Sequence, residues 1–165
     1  MTLTPYRADA AVRYAHRWAF DRNPRFYDYS LLGGDCTNFA SQCLFAGAGI
    51  MDFTPTFGWY YVNANNKAPA WTGVPYLNNY LTRARTSAGP AAREVGLDGV
   101  ASGDIVQLSF DGERWAHSPV VVAVGTPRAL NTVLVAAHSD DADNRPLSSY
   151  DYEKVRFLHI IGVWR

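Results

Sequence analysis

In the stretch Gly33-Gly34-Asp35-Cys36-Thr37-Asn38-Phe39-Ala40-Ser41-Gln42-Cys43-Leu44, a flexible glycine pair leads into a cysteine, and the residues after it have helical spacing. A helix beginning at Asp35 or Cys36 places this thiol in its first turn. Unpaired N–H groups and the positive end of the helix dipole stabilise an anion there, and can lower a cysteine pKa by one or more units from ~8.5. The chemistry expected of Cys36 is therefore nucleophilic attack as a thiolate. Such a nucleophile needs a base that takes its proton and returns it to a leaving group, and histidine suits that task near neutral pH.

The chain has four histidines. His16 lies among Arg and Ala residues of a helical segment and His159 lies inside Val155-Arg156-Phe157-Leu158-His159-Ile160-Ile161, and both read as structural. His117 opens an apolar strand in Trp115-Ala116-His117-Ser118-Pro119-Val120-Val121-Val122. His138 ends the next, Val133-Leu134-Val135-Ala136-Ala137-His138, and is followed by Ser139-Asp140-Asp141. An antiparallel hairpin of these strands sets His117 opposite His138 to Asp140, with cross-strand Cβ atoms about 5 Å apart. A base and its orienting partner then stand side by side. The plainer reading is two ordinary strand histidines.

The elements that must position these groups fall into two halves. Residues 8–21 place Ala11, Tyr14, Ala15, Trp18 and Ala19 at helical spacing, ending before Asn23-Pro24. The cysteine helix presents Cys36, Phe39, Ala40, Cys43 and Leu44 on one face before Gly47 and Gly49 stop it. A short helix is expected around residues 74–82, and residues 87–103 read as a connection. Strands follow at residues 105–110, 115–124, 132–138 and 155–164, with hairpin-like spacing that implies an antiparallel meander. Helices first and strands afterwards predict one α+β domain over residues 1–165, with N-terminal helices packed on a C-terminal antiparallel sheet.

Composition narrows the function classes. At 165 residues, about half of them apolar, the chain suits a single globular unit, and its formal net charge is zero. Basic residues are scattered rather than clustered, which argues against nucleic acid as a partner. No stretch approaches the ~20 apolar residues of a membrane span. Met1-Thr2-Leu3-Thr4-Pro5-Tyr6 has neither the charged nor the apolar region of a signal peptide, so cytoplasmic residence and export by another route both stay open. Cys36 and Cys43, seven residues apart on one helix, have Cα atoms separated by roughly 10 Å, beyond the ~7 Å a disulfide tolerates. Both thiols are expected to be free, and a monomer is expected.

The cysteine string, Trp59-Tyr60-Tyr61, Trp71-Thr72-Gly73, Gly103-Asp104-Ile105-Val106-Gln107-Leu108 with His117-Ser118, and Ala137-His138-Ser139-Asp140-Asp141 resemble the family known as the putative amidase domain. That family is similar to the NlpC-type and CHAP-type cell-wall hydrolases of the papain-like cysteine peptidase fold. The resemblance runs from about Ala10 to Trp164. It implies a papain-like (NlpC-type) fold, Cys36 as nucleophile and His117 as general base and acid. It also implies a third polar residue on the following strand. In NlpC-type relatives that residue is often a histidine, which maps onto His138; other papain-like enzymes use Asn, Asp or Glu, which keeps Asp140 and Asp141 as candidates. The chain departs from papain where a glutamine completes the oxyanion hole, since Ser30 occupies that place. Tyr27 or Tyr29 could stand in, as upstream tyrosines do in NlpC-type relatives. The implied activity is hydrolysis of an amide through a Cys36 thioester, on peptidoglycan or its peptides, with no metal and no cofactor.

Other readings use the same residues. A zinc site from Cys36, Cys43, His117 and His138 is disfavoured, because two cysteines two turns apart on one helix do not readily reach one ion at ~2.3 Å. Trp59, Tyr60, Tyr61 and Trp71 either fill a core or form a groove for a glycan-containing substrate. An acyltransferase or transglutaminase-like enzyme would use the same Cys-His pair and pass the acyl group to an amine or hydroxyl. A catalytically inactive cell-wall binding module would keep the fold and tolerate loss of Cys36.

Overall fold

The computed structural model describes Met1–Arg165 and is α+β, with a large antiparallel sheet and few helices. Its helices are α1 (Ala8–Trp18), α2 (Cys36–Ala48), α3 (Pro69–Thr72) and α4 (Val74–Thr82). The strands are β1 (Leu3–Thr4), β2 (Tyr61–Asn63), β3 (Asn66–Lys67), β4 (Gly89–Val95), β5 (Ile105–Ser109), β6 (Trp115–His117), β7 (Val120–Val124), β8 (Val133–Ala137), β9 (Ala142–Pro146) and β10 (Lys154–Trp164). Eight strands form one sheet in the order β1-β10-β5-β7-β8-β9, with β4 added to β10 and β6 to β5, while β2 and β3 form a separate ribbon. None of the helices is long and apolar enough to cross a membrane.

Period-two alternation sorts the strand residues into two packed faces. Ile105, Val120, Val122, Ala136, Leu158 and Ile160 meet Phe39, Cys43, Leu44, Trp59, Trp71, Leu77 and Tyr80 on the helix side. Val106, Leu108, Val121, Val133, Val135 and Phe157 face the other way and are covered by Val100, Leu147 and Tyr150. The helices thus lie on one face of the sheet, as the element order predicts.

The helix that carries the cysteine differs from expectation in its surroundings. It is buried almost all round rather than along one face, with Thr37, Asn38, Ser41 and Gln42 as inaccessible as Phe39 and Leu44. Buried polar groups cost free energy unless paired, and each of these has a partner. Ser41 Oγ donates to the Trp71 carbonyl (2.9 Å) and accepts from Trp59 Nε1 (3.0 Å). Trp71 Nε1 donates to Asn38 Oδ1 (2.9 Å), and the Tyr14 hydroxyl donates to Gln42 Oε1 (2.6 Å). The helix ends where Gly49 takes φ 74°, donating its N–H to the Phe45 carbonyl.

Three strand expectations change. Residues 89–95, read as part of a connection, form β4 and pair with β10 from Phe157↔Val95 to Trp164↔Gly89. Its Gly-Pro-Ala-Ala start has little intrinsic β preference, and burial against β10 and the helices selects it. The single strand expected over 115–124 is two, because Pro119 has no N–H to give a ladder; β6 and β7 both pair with β5, through Leu108↔His117 and Ile105↔Val120. The meander holds for β5, β7 and β8 and runs on into β9, a strand the sequence reading did not expect, while β10 returns to pair with β5 instead of following β8.

Candidate functional site

Cys36 is the first residue of α2, and the loop that delivers it turns through two left-handed glycines, Gly33 at φ 88° and Gly34 at φ 102°. Asp35 precedes it at the N-cap position but makes no side-chain cap. Its buried carboxylate is turned elsewhere. Oδ1 accepts from the Tyr29 N–H (2.8 Å) and from Asn38 Nδ2 (2.9 Å), and Oδ2 lies 2.6 Å from His138 Nδ1. The first-turn N–H groups of α2 are therefore not consumed by a cap.

The Cys36 sulfur rests against the strand that bears His117. Its S–H points to the Ala116 carbonyl at 3.9 Å, and Thr37 Oγ1 lies 3.6 Å away. The N–H groups of Ser118 and Thr37 also bear on the sulfur. The break at Ser118-Pro119 thus brings the residue after His117 to the thiol, and Ser118 Oγ further accepts from Thr37 Oγ1 (3.3 Å) and Gln107 Nε2 (3.2 Å).

His117 is nearly inaccessible and is held by packing. Its ring lies 5.6 Å from that of Tyr150 and 6.3 Å from that of Phe110, and neither ring nitrogen bonds to another group of the chain. A cleft of about 520 Å³ opens beside it, lined by Phe110, Ala116, His117, Ser139, Asp140, Arg145, Tyr150 and Asp151. Burial, reinforced by the Arg145 charge and opposed by Asp140, lowers the His117 pKa to about 4. Burial likewise pushes the Cys36 thiol up, against the pull of Thr37 and Ser118, and the neighbouring Asp35 charge adds to the rise. The lowering expected of a thiol at a helix N-terminus is thus corrected: burial outweighs the helix start and raises the Cys36 pKa, while it lowers that of His117.

His138 does not stand beside His117 as a partner. Its Nδ1 meets Asp35 and its Nε2 donates to the Trp18 carbonyl (2.8 Å), while its ring stacks on Phe39 at 4.0 Å. Both nitrogens are committed, so the ring fixes the loop before Cys36 and has no atom to offer His117. The hairpin argument fails because His117 belongs to β6, paired with β5, whereas β7 and β8 begin their pairing at Val120↔Ala136. Asp141 is equally committed, gripped by Arg22 through Nη1 (2.9 Å) and Nη2 (3.0 Å). Asp140 remains in the cleft with His117 and is the carboxylate whose charge favours the imidazolium.

The aromatic candidates divide. Trp59 and Trp71 are wholly buried, 4.9 Å apart, with no face on which a glycan could stack; they brace α2. Tyr29 is buried and its hydroxyl donates to the Ala64 carbonyl (2.8 Å), so it does not point at the thiol. Ser30 Oγ donates to Asp28. Tyr27 is about half exposed, its ring packed edge-on against Tyr29. No three His, Cys, Asp or Glu side chains converge as a metal-binding group, and both cysteines are free.

Sequence reasoning missed Ser118, which the break between β6 and β7 brings to the thiol, and Ser139, Arg145 and Tyr150, which only the folded hairpin β8–β9 and the Leu147–Ser149 turn after it bring to the His117 cleft. Ser139 Oγ accepts the Asp35 N–H (3.1 Å), joining this hairpin to the cysteine loop. Ser139 at φ 61° and Asp140 at φ 60° are consecutive left-handed residues, the pattern of a two-residue hairpin turn.

Removing His138 takes from the buried Asp35 carboxylate its closest partner and leaves Arg22 Nε at 3.8 Å, and breaking such a buried pair typically costs about 3–5 kcal/mol. The His138→Ala protein is expected to lose stability on that scale in urea unfolding, whereas Tyr27→Ala, at an exposed site, is expected to lose much less. In the unliganded native protein, Cys36 alkylation followed by intact mass should climb through and beyond the ordinary thiol range near ~8.5, with no fast plateau at acid pH.

Comparison with known proteins places the chain. The uncharacterized protein YhbB of Bacillus subtilis (strain 168) is 30% identical over 159 residues, covering 92% of this chain and 49% of that protein. The chain thus spans about half the length of the curated relative it matches. No solved structure matches it. A family model described as "Putative amidase domain" matches residues 5–161, and the chain belongs to that family, whose description points to a hydrolase acting on amides.

Proposed function

We propose that this domain hydrolyses an amide through Cys36, with His117 as general base and acid. The observation that carries the reading is the placement of a first-turn helix cysteine against the backbone on both sides of a buried, neutral histidine. As Cys36 Sγ attacks the amide carbonyl, His117 takes the S–H proton, so no pre-formed thiolate is needed. The oxyanion falls to the Cys36 N–H at the uncapped start of α2. Collapse breaks the C–N bond while His117 gives its proton to the departing amine, leaving a thioester. A water deprotonated by His117 then attacks the thioester, the C–S bond breaks as His117 returns that proton to the departing Sγ, and the carboxylic acid is released while the free thiol and neutral imidazole are regenerated.

Asp140 takes the part that the resemblance allots to a third polar residue. It shares the cleft with His117 and its charge favours the imidazolium formed in each step. The papain-like assignment is supported by the order of parts, a cysteine helix followed by a sheet that presents the histidine. Peptidoglycan peptides are the substrate class proposed, on the resemblance to cell-wall hydrolases and the family's amidase description.

Incubation with peptidoglycan digests should release new amines, and acid quenching should trap an acyl adduct on Cys36 by intact mass. Cys36→Ala and His117→Ala should both abolish turnover; undiminished release by Cys36→Ala overturns the proposal. Added hydroxylamine that captures the acyl group tests whether water is the sole acceptor.

The active His117 is neutral, and its pKa lies at about 4 instead of 6.5. Protonation therefore removes activity only as pH falls toward that value, and the acid limb of kcat/KM is expected near pH 4. Asp140→Gly separates chemistry from folding. Glycine accepts φ 60° without strain, so the melting temperature should hold or rise while kcat/KM falls at least about tenfold.

A further inference from the structure

The cleft beside His117 holds two groups that the hydrolysis above does not use. Tyr150 is buried, and its inaccessible hydroxyl makes no hydrogen bond of good geometry, although the Arg145 guanidinium lies close enough to act on it and its O–H proton has no acceptor in the chain. Arg145 lies over the Tyr150 ring, its guanidinium carbon 3.6 Å from the ring centroid. The guanidinium is clamped by Ser149, with Nε donating to Oγ (2.8 Å) and Nη2 to the carbonyl (3.2 Å). That leaves Nη1 free, and no carboxylate lies within ion-pair distance of the group, although Asp140 and Asp151 line the same cleft. A half-buried cation without a counter-ion, next to an orphaned hydroxyl donor, calls for an acceptor from outside the chain.

We propose that this cleft is a carboxylate subsite, in which Arg145 Nη1 and the Tyr150 hydroxyl hold a carboxylate that the substrate carries close to its scissile amide. The proposal deepens the amidase reading and rests on it for the word substrate. A carboxylate fits better than a phosphate for two reasons. Only one guanidinium edge is open, which suits a single planar group, and the acids Asp140 and Asp151 repel a dianion more than a monoanion. The hydroxyl donates to this acceptor, because burial keeps Tyr150 protonated.

Occupancy of the subsite would act on the base. Arg145 is the cation that disfavours a second positive charge on His117, while Asp140 favours it and Cys36, Tyr150 and Asp151 complete the ionisable surroundings. A carboxylate seated on Arg145 cancels part of that repulsion and makes His117 more basic when substrate is in place. A neutral analogue gives no such gain.

The test uses the intact Cys36→Ala protein, which binds without turning over, with N-acetylglycine and its neutral counterpart N-acetylglycinamide as probes. The His117 ring is titrated by NMR in the presence of each. N-acetylglycine should bind at least about tenfold more tightly than the amide and move the His117 midpoint upward, while the amide leaves it in place. Arg145→Gln should lift the midpoint without any probe and erase the discrimination between acid and amide. Tyr150→Phe, which keeps the ring and its packing, should weaken the acid about tenfold or more and leave the amide unchanged. Equal binding of acid and amide, or retention of inorganic phosphate as strong as that of N-acetylglycine, overturns the assignment. Because no step of this test requires catalysis, its result is independent of whether Cys36 forms a thioester.

Discussion

The site depends on one buried carboxylate. Asp35 ties together the Tyr29 backbone, the Asn38 side chain and the His138 ring, three parts of the chain from the loop before α2, the helix itself and the end of β8. His138 passes the connection on to the end of α1 through the Trp18 carbonyl. That carbonyl can only accept, so His138 Nε2 is the donor there, and Nδ1 is the atom that meets Asp35 at 2.6 Å. Both side chains are buried, each 1% exposed. This arrangement sets the position of the residue before Cys36, and it does so with the group that would otherwise cap the helix. Had Asp35 capped α2, its carboxylate would have turned to the Thr37 or Asn38 N–H and left the Tyr29 backbone and the His138 ring without this tie.

Burial decides the protonation of the pair. A helix N-terminus stabilises an anion by typically about 0.3–1 kcal/mol at the surface and up to about 2 kcal/mol where partly buried, against 1.36 kcal/mol per pKa unit. Around Cys36 that gain competes with the cost of placing a charge in a nearly closed site next to the Asp35 carboxylate, and the cost is larger. His117 experiences the same burial with the opposite sign, joined by the Arg145 cation. A buried thiol that resists ionising and a buried imidazole that resists protonation are consistent with the proposed attack, in which both charges form at once by proton transfer, the imidazolium gains from Asp140, and the negative charge moves to the substrate oxygen beside α2.

How far the sequence revealed this varies with the range of the forces involved. The cysteine helix and the helix at residues 74–82 were legible because apolar spacing and the Gly-Gly and Gly49 punctuation are local. The antiparallel sheet was legible in outline from the apolar runs, but not the strand at Gly89, whose pairing depends on β10, far along the chain at Phe157 to Trp164. The candidate nucleophile and base were marked by residue type. The partners of His138 were not, since register slips at Ser118-Pro119 and a distant aspartate wins the ring. Trp59 and Trp71 misled for a similar reason. Nothing local distinguishes an indole that serves a ligand from one that satisfies Ser41 or Asn38 inside the core. Arg145 and Tyr150 had no signal at all, as an unpaired cation and an orphaned hydroxyl exist only once the chain has folded.

The turn between β8 and β9 shows what the chemistry asks of the scaffold. Two left-handed residues in succession are usually Asn-Gly or Asp-Gly, because each residue with a Cβ costs roughly 1–2 kcal/mol in that region. Here the pair is Ser139-Asp140, and both side chains are engaged on the site side of the turn. Ser139 takes the Asp35 N–H and so holds the cysteine loop against the hairpin, and Asp140 supplies the charge that faces His117. Glycine would relax the turn and could provide neither. The residues at this corner are thus chosen against the backbone's own preference, and the strain is held by the ladder on either side, Val135↔Arg145 and Ala137↔Ala142. The same ladder fixes Arg145 two residues from Tyr150's supporting turn, so one short hairpin positions the loop before the thiol, the charge beside the base and the cation of the neighbouring cleft.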